Sequence, residues 1–462
     1  MSTESGSVPP SGTGRGGSAP SHGSRPPGRG PGRGGVRTAL VYLVIAAVLL
    51  AVCGVAAAGV SVPTRDLLDQ SRRFALILAC AVVGLSCLAA ALLLRRGPKR
   101  PTALGWLSAV FSLLCLAATI CVWTVTGADD STKHVPGTLI SNNAQADAFL
   151  AVNHQQRQTR VPTGVLIETA QFSDANNVKL TGFVWQRLPA SADPEVPQLL
   201  LPDAVDGGVG PMVYQHRLGG QQVVGWQLRA TVRQPFDYRH YPFDRQVIRL
   251  TMWATGYGNA LVPDFDAYPP WQKHRNMGLY RELVSGDWHT QFTTFAMNEV
   301  DDQTSYGNTA VSVHSTIPEL HFNIGVARNF LSPLLDRLIP LLVIACLVFA
   351  SLFVVTTDSD RRSLAGFSTW TVIGFCGAMM LVVAVQHSSL RSQTGSGSVV
   401  YAEYFYFILY LVIALTALNV VDYTANSRFR LVAWRGNLAA RLLYWPIAMG
   451  LVLAATIGVF LL

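Results

Sequence analysis

Seven stretches of this chain are apolar for about 20 residues each, the length a helix needs to cross roughly 30 Å of hydrocarbon. They are 39–60, 74–94, 103–126, 338–355, 364–385, 401–421 and 442–462. Without water every backbone polar group must bond internally, so such stretches are helices if they enter a bilayer. A polar block separates the third from the fourth. Half of the 462 residues are hydrophobic and only 13% are charged, against about a quarter charged in soluble chains. A single soluble domain is excluded. The first stretch reads as a retained anchor and not as a cleaved signal, because an equally apolar second stretch follows after a short turn.

Charge sets the expected orientation. Short loops rich in Lys and Arg stay in the cytoplasm. With the N-terminus inside, the cytoplasmic segments hold fifteen basic residues: Arg15, Arg25, Arg29, Arg33, Arg37, Arg95, Arg96, Lys99, Arg100, Arg361, Arg362, Arg428, Arg430, Arg435 and Arg441. The short outer loops hold four: Arg65, Arg72, Arg73 and Arg391. The polar block is therefore expected outside. It carries 19 acidic against 14 basic residues between 128 and 327, so the net charge of +8 reports topology. Nucleic acid is not implied.

Residues 1–38 are Gly, Pro, Ser and Arg with almost no apolar side chain. Such a segment cannot offset its ordering entropy and reads as a disordered cytoplasmic tail. Its GRG and RGG steps admit an RNA-binding reading, but a solvated tail beside anionic lipid is favoured. All seven cysteines lie in apolar runs, where a thiol behaves as a small hydrophobe. There is no zinc spacing and no disulfide framework.

The outer block has strand signals. Residues 245–253 alternate, with Ile248, Leu250 and Met252 on one face and Arg249 and Thr251 on the other. Segments 179–185, 223–232, 292–297 and 320–326 read similarly, separated by SDANN, DGGVG and LGGQQ turns. No amphipathic helix of convincing length is expected there. The fold class is an α+β membrane protein: an extracellular antiparallel β-sandwich over 128–330, a four-helix transmembrane domain over 331–462 and three further helices over 39–127.

At 235–246 the chain reads PFDYRHYPFDRQ. This resembles the signature loop of pentameric ligand-gated ion channels, the Cys-loop receptor superfamily, especially its prokaryotic branch, through Phe236, Asp237, Tyr241, Pro242, Phe243 and Asp244. Animal receptors carry half-cystines at the positions of Gln234 and Ile248, and prokaryotic members lack that disulfide. Residues 161–187 are similar to the first two strands of the family's binding domain, with Trp185 at the usual tryptophan. Arg187 departs from the acidic residue common two positions later. Residues 200–203 only loosely resemble the Trp-x-Pro loop. ARNFLSPLLDRLIP at 327–340 is similar to the segment leading into the first channel helix, and four spans follow. The resemblance covers 161–462. It implies a homopentamer in the cytoplasmic membrane, inorganic ions as permeants and no organic cofactor.

Further roles follow from that resemblance. The fifth stretch would line the pore, and its first half is rich in Ser, Thr and Gly. Two helical stripes are open: Leu364, Ser368, Thr371, Phe375 and Ala378, or Ser363, Phe367, Trp370, Gly374 and Gly377. The first is preferred because the second puts a tryptophan in a narrow pore. Close helix packing explains the same small residues without a pore. Asp360 before Arg361 is either a selectivity collar at the cytoplasmic mouth of a cation channel or a solvated turn. Asp174, Asp244 and Arg328 match the coupling triad where the outer domain meets the membrane, an arrangement that suits a forked guanidinium and carboxylates.

The resemblance places ligand binding between neighbouring outer domains, where aromatic rings hold cations. Candidates are Tyr214, Trp226, Tyr238, Trp288 and Tyr306, although most aromatics in a small sandwich are core. The ligand is a small molecule or a proton. Many outer histidines, with His387 near the outer mouth, are compatible with proton sensing and equally with ordinary structural roles. A non-conducting receptor of the same fold, sealed by Phe375, Met379 and Met380, is the nearest rival. No nucleophile motif or metal cluster supports an enzyme.

Overall fold

The computed structural model describes residues 101–126, 135–153, 158–256, 258–269, 276–284, 286–300, 317–354, 369–395, 397–424 and 437–460. The expected disordered tail, the first two apolar stretches and the candidates Tyr306, Asp360, Leu364 and Ser368 lie outside the described residues.

Five described helices are long and apolar enough to cross a membrane. The first, α1, is Pro101–Thr126. Then come a short β1 (Thr138–Ile140) and a ten-residue helix α2 (Asn143–Val152). The expectation of no helix in the polar block therefore missed α2. Its signal is local: Asn142 Oδ1 accepts from Gln145 N at 2.9 Å, while Gln145 Oε1 accepts from Ser141 N at 2.7 Å. The first bond satisfies one of the N–H groups that a helix start leaves unpaired, and the second ties the residue before the cap back onto the first turn.

Ten more strands follow: β2 (Thr159–Phe172), β3 (Asn177–Pro189), β4 (Leu199–Leu200), β5 (Ala204–Leu218), β6 (Gln221–Arg233), β7 (Arg245–Ala254), β8 (Asn259–Pro263), β9 (Leu279–Val284), β10 (Trp288–Val300) and β11 (Ile317–Arg328). One sheet has the order β1-β10-β11-β7-β4. The other runs β5-β6-β3-β2-β8, with β9 also on β2. Pairing is antiparallel except for β8 and β9 on β2. A single core cluster draws on both sheets, including Ile248, Leu250, Met252, Phe295 and Phe322 from one and Val165, Leu180, Val184 and Trp226 from the other. The β7 alternation expected from sequence is present, but Thr251, on the other face, is buried too. Its hydroxyl donates to Asp203 Oδ2 at 2.6 Å.

β11 runs directly into the helical region. Helix α3 (Leu331–Val354) has a π turn over Leu334–Leu338, just after its first residues. Pro340 has no N–H to donate to the carbonyl four residues back, and a wider turn accommodates the break. Then come α4 (Thr369–Thr394), α5 (Tyr401–Thr424) and α6 (Leu438–Phe460). α1 lies parallel to α6: Ser108 Oγ donates to Leu442 O at 2.6 Å near the start of both, while Trp123 and Thr456 both bond the Tyr401 hydroxyl near their ends. The sheets meet the bundle at that latter end. The chain is thus a mixed α+β protein with a sandwich-like pair of sheets at one end of an apolar bundle, compatible with a membrane protein.

Candidate functional site

The loop 234–244 joins β6 to β7, and two buried glutamine amides close it. Gln234 Nε2 donates to Val247 O (3.0 Å), and its Oε1 accepts from Arg249 N (3.1 Å). It thereby grips the strand on both sides of Ile248. Gln246 Nε2 donates to Asp237 O (2.7 Å), and its Oε1 accepts from Asp237 N (3.2 Å). Across the loop, Asp237 pairs with Arg239, whose guanidinium holds that carboxyl below the usual carboxylate range despite partial burial.

At the end of the loop Asp244 is fully buried and meets Arg328, the last residue of β11. Arg328 Nε donates to Oδ1 at 2.8 Å and Nη2 to Oδ2 at 3.1 Å. Forked pairing fixes orientation as well as charge. The guanidinium carbon lies 4.1 Å from the Trp288 ring centroid and 4.9 Å from that of Tyr241, a cation–π clamp on each side. Trp288 in turn stacks on Phe172 at 4.5 Å. Burial opposes the charge on Arg328, but the Asp244 carboxylate outweighs it and raises the guanidinium's pKa.

Asp174, the third expected partner, stays in its own turn. Its carboxylate accepts from Asn176 N (2.9 Å), Asn177 N (3.0 Å) and Asn177 Nδ2 (2.7 Å). These bonds, led by that from Asn176, lower its pKa. The short Asx side chain caps the β2–β3 turn more easily than it reaches across to Arg328. The turn joins the site through Tyr238, whose hydroxyl donates to Ala175 O (3.0 Å) and is pushed up to about 12 by burial. The same turn abuts the end of α4. Gly395 takes the left-handed conformation there (φ 52°), and a side chain on it would come within 2.7 Å of Ala175 Cβ.

The helices attach to this loop through their backbones. Tyr401 N donates to Arg239 O (2.8 Å) and Ala402 N to Tyr241 O (3.1 Å), so the loop supplies acceptors for the start of α5. Phe243 stacks on Phe330 at 4.9 Å, and Trp123 of α1 lies 5.0 Å from Phe243. Trp123 Nε1 donates to the Tyr401 hydroxyl (2.9 Å), which also bonds Thr456 Oγ1 (2.7 Å). One aromatic cluster therefore joins the loop to α1, α3, α5 and α6. No role for α1 follows from its residues alone, and this contact supplies one.

Glu403 did not figure among the sequence-based candidates. It is fully buried in α5, accepts from Arg391 Nη1 at 2.7 and 2.9 Å, from Val400 N at 3.0 Å, and faces His387 Nε2 at 3.3 Å. Its signal was a carboxylate inside an apolar stretch, which is expensive unless paired. Arg337, in the π turn, donates to Gln386 O, Ser389 Oγ and Gln393 Oε1 (3.4, 3.4 and 2.6 Å). The sheet-side end of α4 is thus tied to α3 by one arginine and to α5 by one buried carboxylate.

On α4, Val372, Cys376, Val383, Leu390 and Thr394 face the other helices. Of the preferred stripe, Thr371 and Ala378 are exposed, while Phe375 packs partly against the bundle. Of the alternative stripe, Trp370 (80% exposed), Gly374 and Gly377 are exposed. The open face continues through Leu381, Val385, Ser388 and Ser392, so it spans both stripes.

Three of the four described aromatic ligand candidates are engaged within the chain. Trp226 is fully buried in the sandwich core; Tyr238 bonds the turn and Trp288 clamps Arg328, each 6% exposed. They fill interior space, the usual place for large rings in a sandwich. Tyr214 is half-buried beside His216 and over Gly225. Arg187, the departure from the resemblance, forms a forked pair with buried Asp264 at 3.0 Å, and Trp185 Nε1 bonds the same carboxylate at 3.0 Å. Among the described residues no group of three or more His, Cys, Asp or Glu could hold a metal ion. No protein-family model matches the chain, and a comparison with curated proteins gives no match.

Proposed function

We propose that this chain is one subunit of a pentameric ligand-gated ion channel in the cell membrane, with its N-terminus inside and its sheets outside. The Asp244–Arg328 clamp carries the reading. It ties the loop between the sheets to the strand that becomes α3, and the same loop caps α5. A ligand that prefers one arrangement of neighbouring sheets would shift the population of that arrangement. The loop would pass the shift to α3 and α5, and Arg337 and Glu403 would pass it to α4. The exposed face of α4 is the lining such a pore needs, since hydroxyls and glycines are tolerated when identical helices share a water column. Asp360, which precedes α4 in sequence, would draw cations.

The test is the particle in detergent, followed by bilayer recording. Fivefold particles with α4 around the axis, and currents whose reversal potential shifts on Asp360→Ala, are expected. Isolated protomers, or an axis lined by another helix, refute the proposal. Fivefold particles that pass no current across a screen of ligands and pH would leave a receptor that does not conduct.

A further inference from the structure

Far from the sheets, α3, α5 and α6 part to leave a groove of about 160 Å³ lined by Leu352, Val412, Thr416, Ala439, Ala440 and Tyr444. Two alanines side by side on α6 make the room. Leu415 and Ile447 also line it and are 45% and 40% exposed, so its mouth lies on the outside of the bundle. The volume is close to that of an engineered cavity that accepts benzene. It suits a short length of acyl chain.

Two polar groups distinguish this groove from a packing defect. Asn419 lines it, and its Nδ2 is buried without an acceptor. A buried donor left unpaired is costly, and a purely apolar void gives no reason to keep one. Arg441, the residue after Ala440, borders the groove without lining it: its Nε donates to the carbonyl of Leu352, a lining residue, at 3.2 Å, and its guanidinium carbon lies 4.7 Å from the Phe353 ring centroid. No salt bridge to a carboxylate forms there among the described residues. An apolar slot, a hydrogen-bond donor and a cation together match an acyl chain, an ester carbonyl and a phosphate.

We propose that this groove holds one anionic glycerophospholipid, with an acyl segment between α5 and α6, an ester oxygen accepting from Asn419 Nδ2 and the phosphate on Arg441. The groove lies at the end where α6 begins, and the sequence just before it, with Arg428, Arg430 and Arg435 ahead of Arg441, is a segment that the charge count puts in the cytoplasm. The anionic leaflet lies there. The proposal rests on membrane insertion and not on conduction.

The test uses the full chain, stripped of lipid in detergent and titrated with phosphatidylglycerol or phosphatidylcholine of matched chains, with bound lipid counted by mass spectrometry of the intact protein. Wild type is expected to hold one phosphatidylglycerol per chain and to prefer it about fivefold. Arg441→Gln should erase the preference, weakening phosphatidylglycerol about fivefold more than phosphatidylcholine, whose phosphate is offset by its own choline cation. Asn419→Leu should weaken both lipids by about fivefold, and Ala440→Phe should abolish both. Inorganic phosphate should not displace the lipid. Wild-type binding in Arg441→Gln and Asn419→Leu, displacement by phosphate, or no bound lipid in wild type would overturn the proposal. The melting midpoint without lipid checks that each variant folds, and Arg441→Gln and Asn419→Leu decide the matter if Ala440→Phe does not.

Discussion

Arg328→Ala removes the cation from a carboxylate with no other charged neighbour in contact among the described residues. Asp244 is fully buried. Without Arg328 it keeps one side-chain donor, Gln246 Nε2 at 3.3 Å, too long to replace a forked pair. Breaking a buried ion pair from one side costs about 3–5 kcal/mol, because the remaining charge stays desolvated. The loss of ring contacts on Trp288 and Tyr241 adds to this. At about 2–4 °C per kcal/mol for a domain of 150–250 residues, the melting midpoint in detergent should fall by roughly 6–20 °C. Asp244→Leu with Arg328→Met takes out both charges together and should cost well under the sum of the single substitutions. The assay is fluorescence-monitored unfolding of wild type, both single variants and the double. A shift below 2 °C for Arg328→Ala, or strict additivity in the cycle, would refute the account of the clamp.

Other outcomes follow from single contacts. Gln234→Leu leaves Val247 O and Arg249 N without their side-chain partners and should destabilise the sheets by about 2 kcal/mol, read as a lower unfolding midpoint. A methyl on Gly325 would come within 2.1 Å of Phe292; Gly325→Ala should cost about 1–3 kcal/mol through overpacking, and pairing it with Phe292→Leu should restore much of the loss. Burial raises the Glu319 carboxyl, but hydrogen bonds from His321 Nε2 (2.9 Å) and Trp253 Nε1 outweigh it, so its pKa is lowered in the folded chain. A carboxylate lowered by folding stabilises above its unfolded pKa, and that share disappears as pH drops through the folded value. Glu319→Gln should therefore flatten the acid limb of a stability profile below about pH 4.5, and an unchanged acid limb would count against the pairing.

Much of the fold could be read from local pattern. The apolar stretches from 103 onward and the β7 alternation are strong because solvent exclusion acts on one element at a time. Asp244 and Arg328 were also legible, through a motif whose residues lie on either side of the sheets. Three things were not. Asp174 matched by position, yet a turn carboxylate finds its own backbone amides first. Trp288, Tyr238 and Trp226 read as ligand contacts because aromatic type does not reveal which face of a strand is covered. Glu403 was hidden because its partners, Arg391 and His387, lie on the preceding helix, and only helix packing brings them together. The position of α1 was illegible for the same reason, since Trp123 meets Phe243 and Tyr401 only after the bundle assembles.

The amide grip of Gln234 on the strand around Ile248 has a chemical consequence. No cysteine occurs between 122 and 345, so nothing in the two sheets can be oxidised to a cross-link or reduced from one. Closure of the loop needs no thiol oxidant and survives a strong reductant.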